Sequence, residues 1–254
     1  MKSNEAKLLE YLDDYGLDIF SKGDLIKENS LSPKQIETGL RSLIKRGLVK
    51  IIERGKYCRH NFRDENVLGN FLVKDGGIGY WSAMHYHGLT EQIPNVVFVQ
   101  TSRKKKDKSI FGVKYKFIQV KKAKITGYKT EGYGNYQFKI SDIEKTIVDC
   151  FDLSQHSGGY PEIIKAFARA DISARKMVTY CKAIDNIAVV KRLAYLTELL
   201  GKKNMDYFKE YALSIRNDKY NLFEHNGDAN GKSTRKWRLV LNMEQAEILN
   251  IARS

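Results

Sequence analysis

An α+β fold in two parts is predicted by three observations. The first sixty residues hold a sharply capped helix followed by a short hairpin pattern, strand-forming runs fill the stretch between about 95 and 141, and amphipathic helices follow to about residue 215. A length of 254 residues accommodates a small and a medium core.

Leu8, Leu9, Leu12 and Tyr15 share one face of a helix over 4–15 that Gly16 ends. Ser21 caps a second helix running to Glu28, with Asp24 at its third position. The third helix opens on a capping box: Ser32 is the N-cap, Pro33 comes first and Gln35 third. Ile36, Leu40, Leu43 and Ile44 form its inner stripe, which leaves Lys34, Gln35, Thr38, Arg41, Ser42 and Lys45 outward. LVKIIERGKYCRH then reads as a hairpin turning at Arg54 and Gly55. Three helices and a hairpin make an N-terminal winged helix-turn-helix over 1–60.

Charge distribution bears on what that module meets. The formal net charge is +14, a field that attracts phosphates. From Pro33 to His60 eight cations face two carboxylates, whereas residues 1–32 carry four cations against seven acids. Base edges are met by short polar and amide side chains on a reading helix, and phosphates by flanking cations. The expected DNA contacts are therefore Lys34, Gln35, Thr38, Arg41, Ser42, Lys45, Arg54, Lys56 and Arg59. Winged helices also serve as protein–protein modules; the polarised charge favours double-stranded DNA, with inverted repeats of an operator as the expectation from two-fold docking.

Residues 61–254 read as a larger mixed domain. Helical patterns cover 64–75 and 78–88, and PNVVFVQTS, VKYKFIQV, KITGYKT and YQFKI suggest a small antiparallel sheet within about 61–140. SDIEKTIVDCFD is a helix with Ser141 as cap and Glu144 completing a capping box; Asp149 and Asp152 read as solvated or cap-bonding carboxylates, because no third ligand accompanies them. A helical bundle over about 141–215 continues near 160–169, 173–184, 186–200 and 204–214, and a final strand and helix occupy about 235–254. NLFEHNGDANGKST reads as a mobile loop, and its GDANGKS falls short of a Walker spacing.

A second basic segment, 103–124, sets ten Lys or Arg against one Asp. Arg103, Lys104, Lys105, Lys106, Lys108, Lys114 and Lys116 either guard an exposed strand edge or form a second phosphate-contacting surface. Lys165, Arg169, Arg175, Lys176, Lys182, Lys191 and Arg192 make a further candidate cationic surface on the helices. Cys58, Cys150 and Cys181, odd in number and scattered, fit reduced thiols in the cytoplasm, and the acidic residues near the start exclude a signal peptide. No apolar run reaches membrane-spanning length. No nucleophile elbow, metal cluster or nucleotide loop is present, so neither an enzyme nor a cofactor is expected.

The stretch GYWSAMHYHGLTEQIPNVVFVQT, 79–101, carries Tyr80, Ser82, Ala83, then His87, Gly88, Leu89, Thr90, Gln92, Ile93 and Pro94, and is followed by the capped segment Ser141–Asp149 and the late Trp237–Asn242. In this order, behind the helix-and-hairpin module, these motifs resemble the AbiEi-type antitoxins of type IV, abortive-infection toxin–antitoxin systems. Lys145 stands where many relatives have an arginine. The resemblance implies a bacterial autorepressor that acts in phage defence, represses transcription of its own operon and counteracts a nucleotidyltransferase-like toxin, with or without direct contact, as a monomer or weak dimer. The residues alone also allow a stand-alone regulator whose larger domain senses a ligand or dimerises. On the residues themselves, Gly88 can end a helix and Pro94 can start a strand, while His85 and His87 lie too close in sequence to share a metal from one helix.

Overall fold

The structure is a computed structural model in which residues 2–254 are described. It is a mixed α+β protein, and its contacts divide the chain into two units. The first runs through Leu68 and also takes in 110–112 and 131–138, where the sequence suggests a division at 60/61. The chain thus enters that unit three times.

In the first unit, α1 (Asn4–Asp14), β1 (Ile19–Ser21), α2 (Lys22–Glu28) and α3 (Pro33–Lys45) precede β2 (Val49–Glu53) and β3 (Lys56–Arg59). Both halves of the α3 capping box form: Gln35 N–H donates to Ser32 Oγ, and Ser32 N–H to Gln35 Oε1 at 2.9 Å. Leu8, Leu12, Phe20, Leu25, Ile36, Leu40, Leu43 and Val49 make the core. Gly39 allows α1 its close approach, since a Cβ there would lie 2.9 Å from Asn4 O. The sequence does not foretell β1, which pairs antiparallel with β3 so that the sheet order is β1-β3-β2. Three residues are too few to display an alternation. Asn135 braces β1: its Oδ1 accepts from the Asp18 and Ile19 amides, each at 2.7 Å, and its Nδ2 donates to Ile19 O at 2.9 Å.

α4 (Glu65–Phe71) is shorter than the pattern over 64–75 suggests. The second unit then holds β4 (Gly77–Ile78), α5 (Tyr80–Tyr86), β5 (Val96–Thr101) and β7 (Val113–Gln119), with all but one end residue each of β6 (Lys108–Ile110), β8 (Tyr128–Glu131) and β9 (Phe138–Ser141). Their sheet has six strands in the order β6-β7-β5-β4-β9-β8. It is mixed, not antiparallel: β5 and β7 run parallel over six register pairs, β4 and β9 are parallel, and β4 and β5 antiparallel. Alternation identifies strands but carries no information about pairing direction. β4 escapes notice because it is built on glycine. A Cβ on Gly76 would lie 2.0 Å from Gln100 O, and one on Gly77 2.3 Å from Lys139 O, so these bare residues admit the flanking strands.

α6 (Ile143–Asp152), α7 (Tyr160–Arg169), α8 (Ala174–Ile184), α9 (Ile187–Leu199) and α10 (Asp206–Ile215) follow near the expected positions. The cap of α6 is Asp142, whose Oδ1 accepts from Lys145 N–H at 2.9 Å; Ser141 lies one residue too early and its buried hydroxyl instead meets Thr146. Glu144 forms no capping box either, because its carboxylate accepts from the Ser173 amide and pairs with Lys176. The segment read as a mobile loop contains β10 (Asn221–Leu222) and β11 (Lys232–Thr234), which sandwich β12 (Leu239–Leu241) in a second small sheet before α11 (Gln245–Arg253). All three cysteines are free and buried, and burial pushes the Cys58 thiol up to about 11.

Candidate nucleic-acid interface

On α3 the inward stripe and the capping box fix which side chains face out. Lys34, Thr38, Arg41 and Lys45 are exposed, and so is Arg54 at the hairpin turn. Thr38 has already used its proton, donating to Lys34 O at 2.9 Å, which leaves a methyl group and an acceptor oxygen. Glu37 interrupts the row; it pairs with Lys22 at 3.0 Å and Arg41 at 3.5 Å, and the Lys22 ammonium holds its carboxyl below the usual range.

The other expected contacts are committed within the unit. Gln35 spends its amide oxygen on the cap, and Ser42 donates to Glu5, which Arg46 also engages. These two donors lower the Glu5 pKa. Arg59 is largely buried and bonded to Asp13, while Lys56 pairs with Glu53 at 3.1 Å. Three further cations of the first unit are placed by remote contacts: Lys22 pairs with Glu37 of α3, and Lys50 and Arg63 lie 5.2 and 5.1 Å from the Phe111 ring centroid. Only their sign was visible in the sequence, since Phe111 is remote along the chain.

In the second unit Arg103, Lys104, Lys106 and Lys114 are exposed, whereas Lys108 and Lys116 are half-buried and Lys105 sits 5.3 Å over Phe117. The helical cation set is partly lost. Lys191 is fully buried, donating to Asn217 Oδ1, Lys219 O and Asn221 Oδ1, and Arg192 Nε donates to Leu222 O at 2.9 Å. Those two pin the approach to β10 and face no solvent.

No protein-family profile and no curated protein matches the chain. Among solved structures it is similar to the RV2827C protein from Mycobacterium tuberculosis, at 12% identity and a TM-score of 0.64, with 99% of this chain and 95% of that one covered. The likeness is one of fold.

The segments that stand out in 79–101 and 141–149 have structural work in the second unit. Gly88, with φ of +65°, ends α5 as Leu89 N–H returns to Met84 O at 2.9 Å. A His87 ring nitrogen contacts Ser141 O at 2.7 Å, and buried Thr90 donates to Glu162 at 2.7 Å. Asp149 and Asp152 of α6 are not solvated. Asp149 pairs with Lys145, Asp152 with Lys124 and with Asn186 Nδ2, and among the described residues no group of three or more metal-ligating side chains occurs. Gln100 donates to Tyr80 Oη at 2.9 Å and to Asp149 Oδ2 at 3.1 Å, and accepts from Tyr128. Burial, with Asp149 nearby, raises both tyrosine pKa values, so both hydroxyls keep their protons. Tyr80, Gln100, Lys145 and Asp149 of this network are buried, and Tyr128 is half-buried.

Proposed function

We propose that the first unit is a winged helix-turn-helix that binds double-stranded DNA, with α3 in the major groove and the β2–β3 hairpin as the wing. The observation that carries this reading is the outward row Lys34, Thr38, Arg41 and Lys45 on a helix whose start is fixed by a full capping box, with Arg54 at the tip of the hairpin. Among the described residues no carboxylate pairs with Lys34, Lys45 or Arg54, so these cations can meet phosphates without first giving up a partner. Gln35, Ser42, Lys56 and Arg59 are reassigned from contact to support, since each is bonded inside the unit.

The larger reading follows from the resemblance to AbiEi-type antitoxins: an autorepressor that also neutralises a nucleotidyltransferase-like toxin. Gly88, Thr90 and Trp237, which are among the residues that carry the resemblance, have defined bonding or backbone roles in the second unit. Two experiments on the full chain separate the two claims. Titration against its own promoter fragment should give specific binding that weakens steeply with salt; binding indifferent to salt contradicts the electrostatic account. The antitoxin reading predicts a nucleotidyltransferase-like toxin encoded beside this chain; co-expression with that toxin should restore growth, and continued arrest refutes that reading while leaving the DNA reading intact.

A further inference from the structure

A cavity of about 480 Å³ in the second unit lies outside everything assigned so far. Its aromatic lining comes from Trp81 of α5, Phe98 of β5 and Tyr160 at the start of α7; Gln155, Glu224 and Asn226 supply polar groups. Pockets of this size hold small organic ligands, and aromatic walls favour flat ones.

Three observations narrow the ligand. In a chain of net charge +14, the half-buried Glu224 carboxylate has no ionic or hydrogen-bond partner among the described residues, so it is an unused acceptor pair. The backbone holds it there: Glu224 N–H donates to Asn242 Oδ1 at 2.8 Å, Asn242 Nδ2 donates to Glu224 O at 2.9 Å, and Tyr160 Oη donates to the preceding Phe223 O. Trp81 Nε1 is buried without a partner, beneath a turn that only glycine can form, since a Cβ on Gly158 would lie 2.8 Å from the indole ring.

We infer that this cavity binds a guanine base. A carboxylate with both oxygens unused matches the two adjacent N–H donors on the guanine edge, the side-chain amides of Gln155 and Asn226 offer donors for its carbonyl, and the rings supply stacking surface. Adenine presents one acceptor and one donor on that edge and leaves one carboxylate oxygen facing a lone pair. The site is independent of the DNA-binding reading.

Calorimetric titration of the full chain with guanosine, GMP, AMP and agmatine tests it. Guanosine and GMP should bind saturably, AMP at least about tenfold more weakly, and E224Q should weaken GMP by at least about tenfold through loss of a charge-assisted pair. N226A, an exposed position, is a second probe that leaves the backbone clamp intact and should also weaken GMP. Absence of saturation by guanosine and GMP at millimolar concentration overturns the proposal, as does AMP binding equal to GMP or GMP binding unchanged in both variants. Agmatine binding more tightly than GMP would replace the guanine assignment with a guanidinium box.

Discussion

Lys145 and Asp149, one turn apart on α6, form an ion pair shielded from solvent, and Gln100 of β5 bonds to the same carboxylate. Burial pushes the Asp149 pKa up while the Lys145 ammonium opposes it. Removing one partner strands a charge at low dielectric, so Lys145→Met or Asp149→Leu alone should destabilise the chain by about 3–5 kcal/mol, whereas the double substitution should cost much less. Urea unfolding of the three variants measures this, and additive single costs would show that the pair does not act as a unit.

Replacing Arg41 and Lys45 by Glu should abolish promoter binding with only a small drop in the melting temperature, because both side chains are exposed and the like charges created beside Glu37 and in the last turn of α3 are surface effects. Reversal of Arg59 behaves differently. Its guanidinium is largely buried against Asp13, so Arg59→Glu should lower stability along with binding. Surviving DNA binding in the Arg41/Lys45 variant would mean that α3 is not the reading helix.

The contrast between these arginines marks what the sequence can convey. Capping chemistry and helical periodicity are local, and Ser32, Pro33 and Gln35 specify the start of α3 with no help from the rest of the chain. Whether a polar side chain is available to a ligand depends on remote partners: Asp13 for Arg59, Glu5 for Ser42, the Asn217–Asn221 segment for Lys191. Those pairings follow from tertiary packing, and the same is true of the parallel β5–β7 alignment. The Glu224 cavity was illegible for this reason too, since Trp81, Gln155 and Glu224 are scattered along the sequence.

His156 stands between the Tyr80 and Phe98 rings, 5.6 and 5.8 Å from their centroids, and burial, assisted by Lys116, lowers its pKa. A base whose folded pKa is depressed contributes stability that is present above the unfolded value of about 6.5 and is lost as pH falls toward the folded one. Unfolding free energy should therefore decline as the solution is acidified below about 6.5, and His156→Phe should flatten that part of the profile. An NMR titration midpoint above that value, or an identical profile in the variant, would contradict the assignment.

Gly76 and Gly77 provide the sharpest test of the mixed sheet. At both positions a methyl group would collide with a backbone carbonyl rather than a yielding side chain, at 2.0 Å from Gln100 O and 2.3 Å from Lys139 O. The sheet must open to admit it, and the Gln100 bonds to Tyr80 and Asp149 depend on that strand's position. Gly77→Ala should cost well over about 2 kcal/mol or prevent folding. Gly112→Ala, at φ of +88° with nothing within 4 Å, introduces only conformational strain of about 1 kcal/mol. Thermal unfolding of the two variants ranks them directly; equal losses would show that β4 does not need the close approach of its neighbours, and that something other than bare glycine backbone places it between β5 and β9.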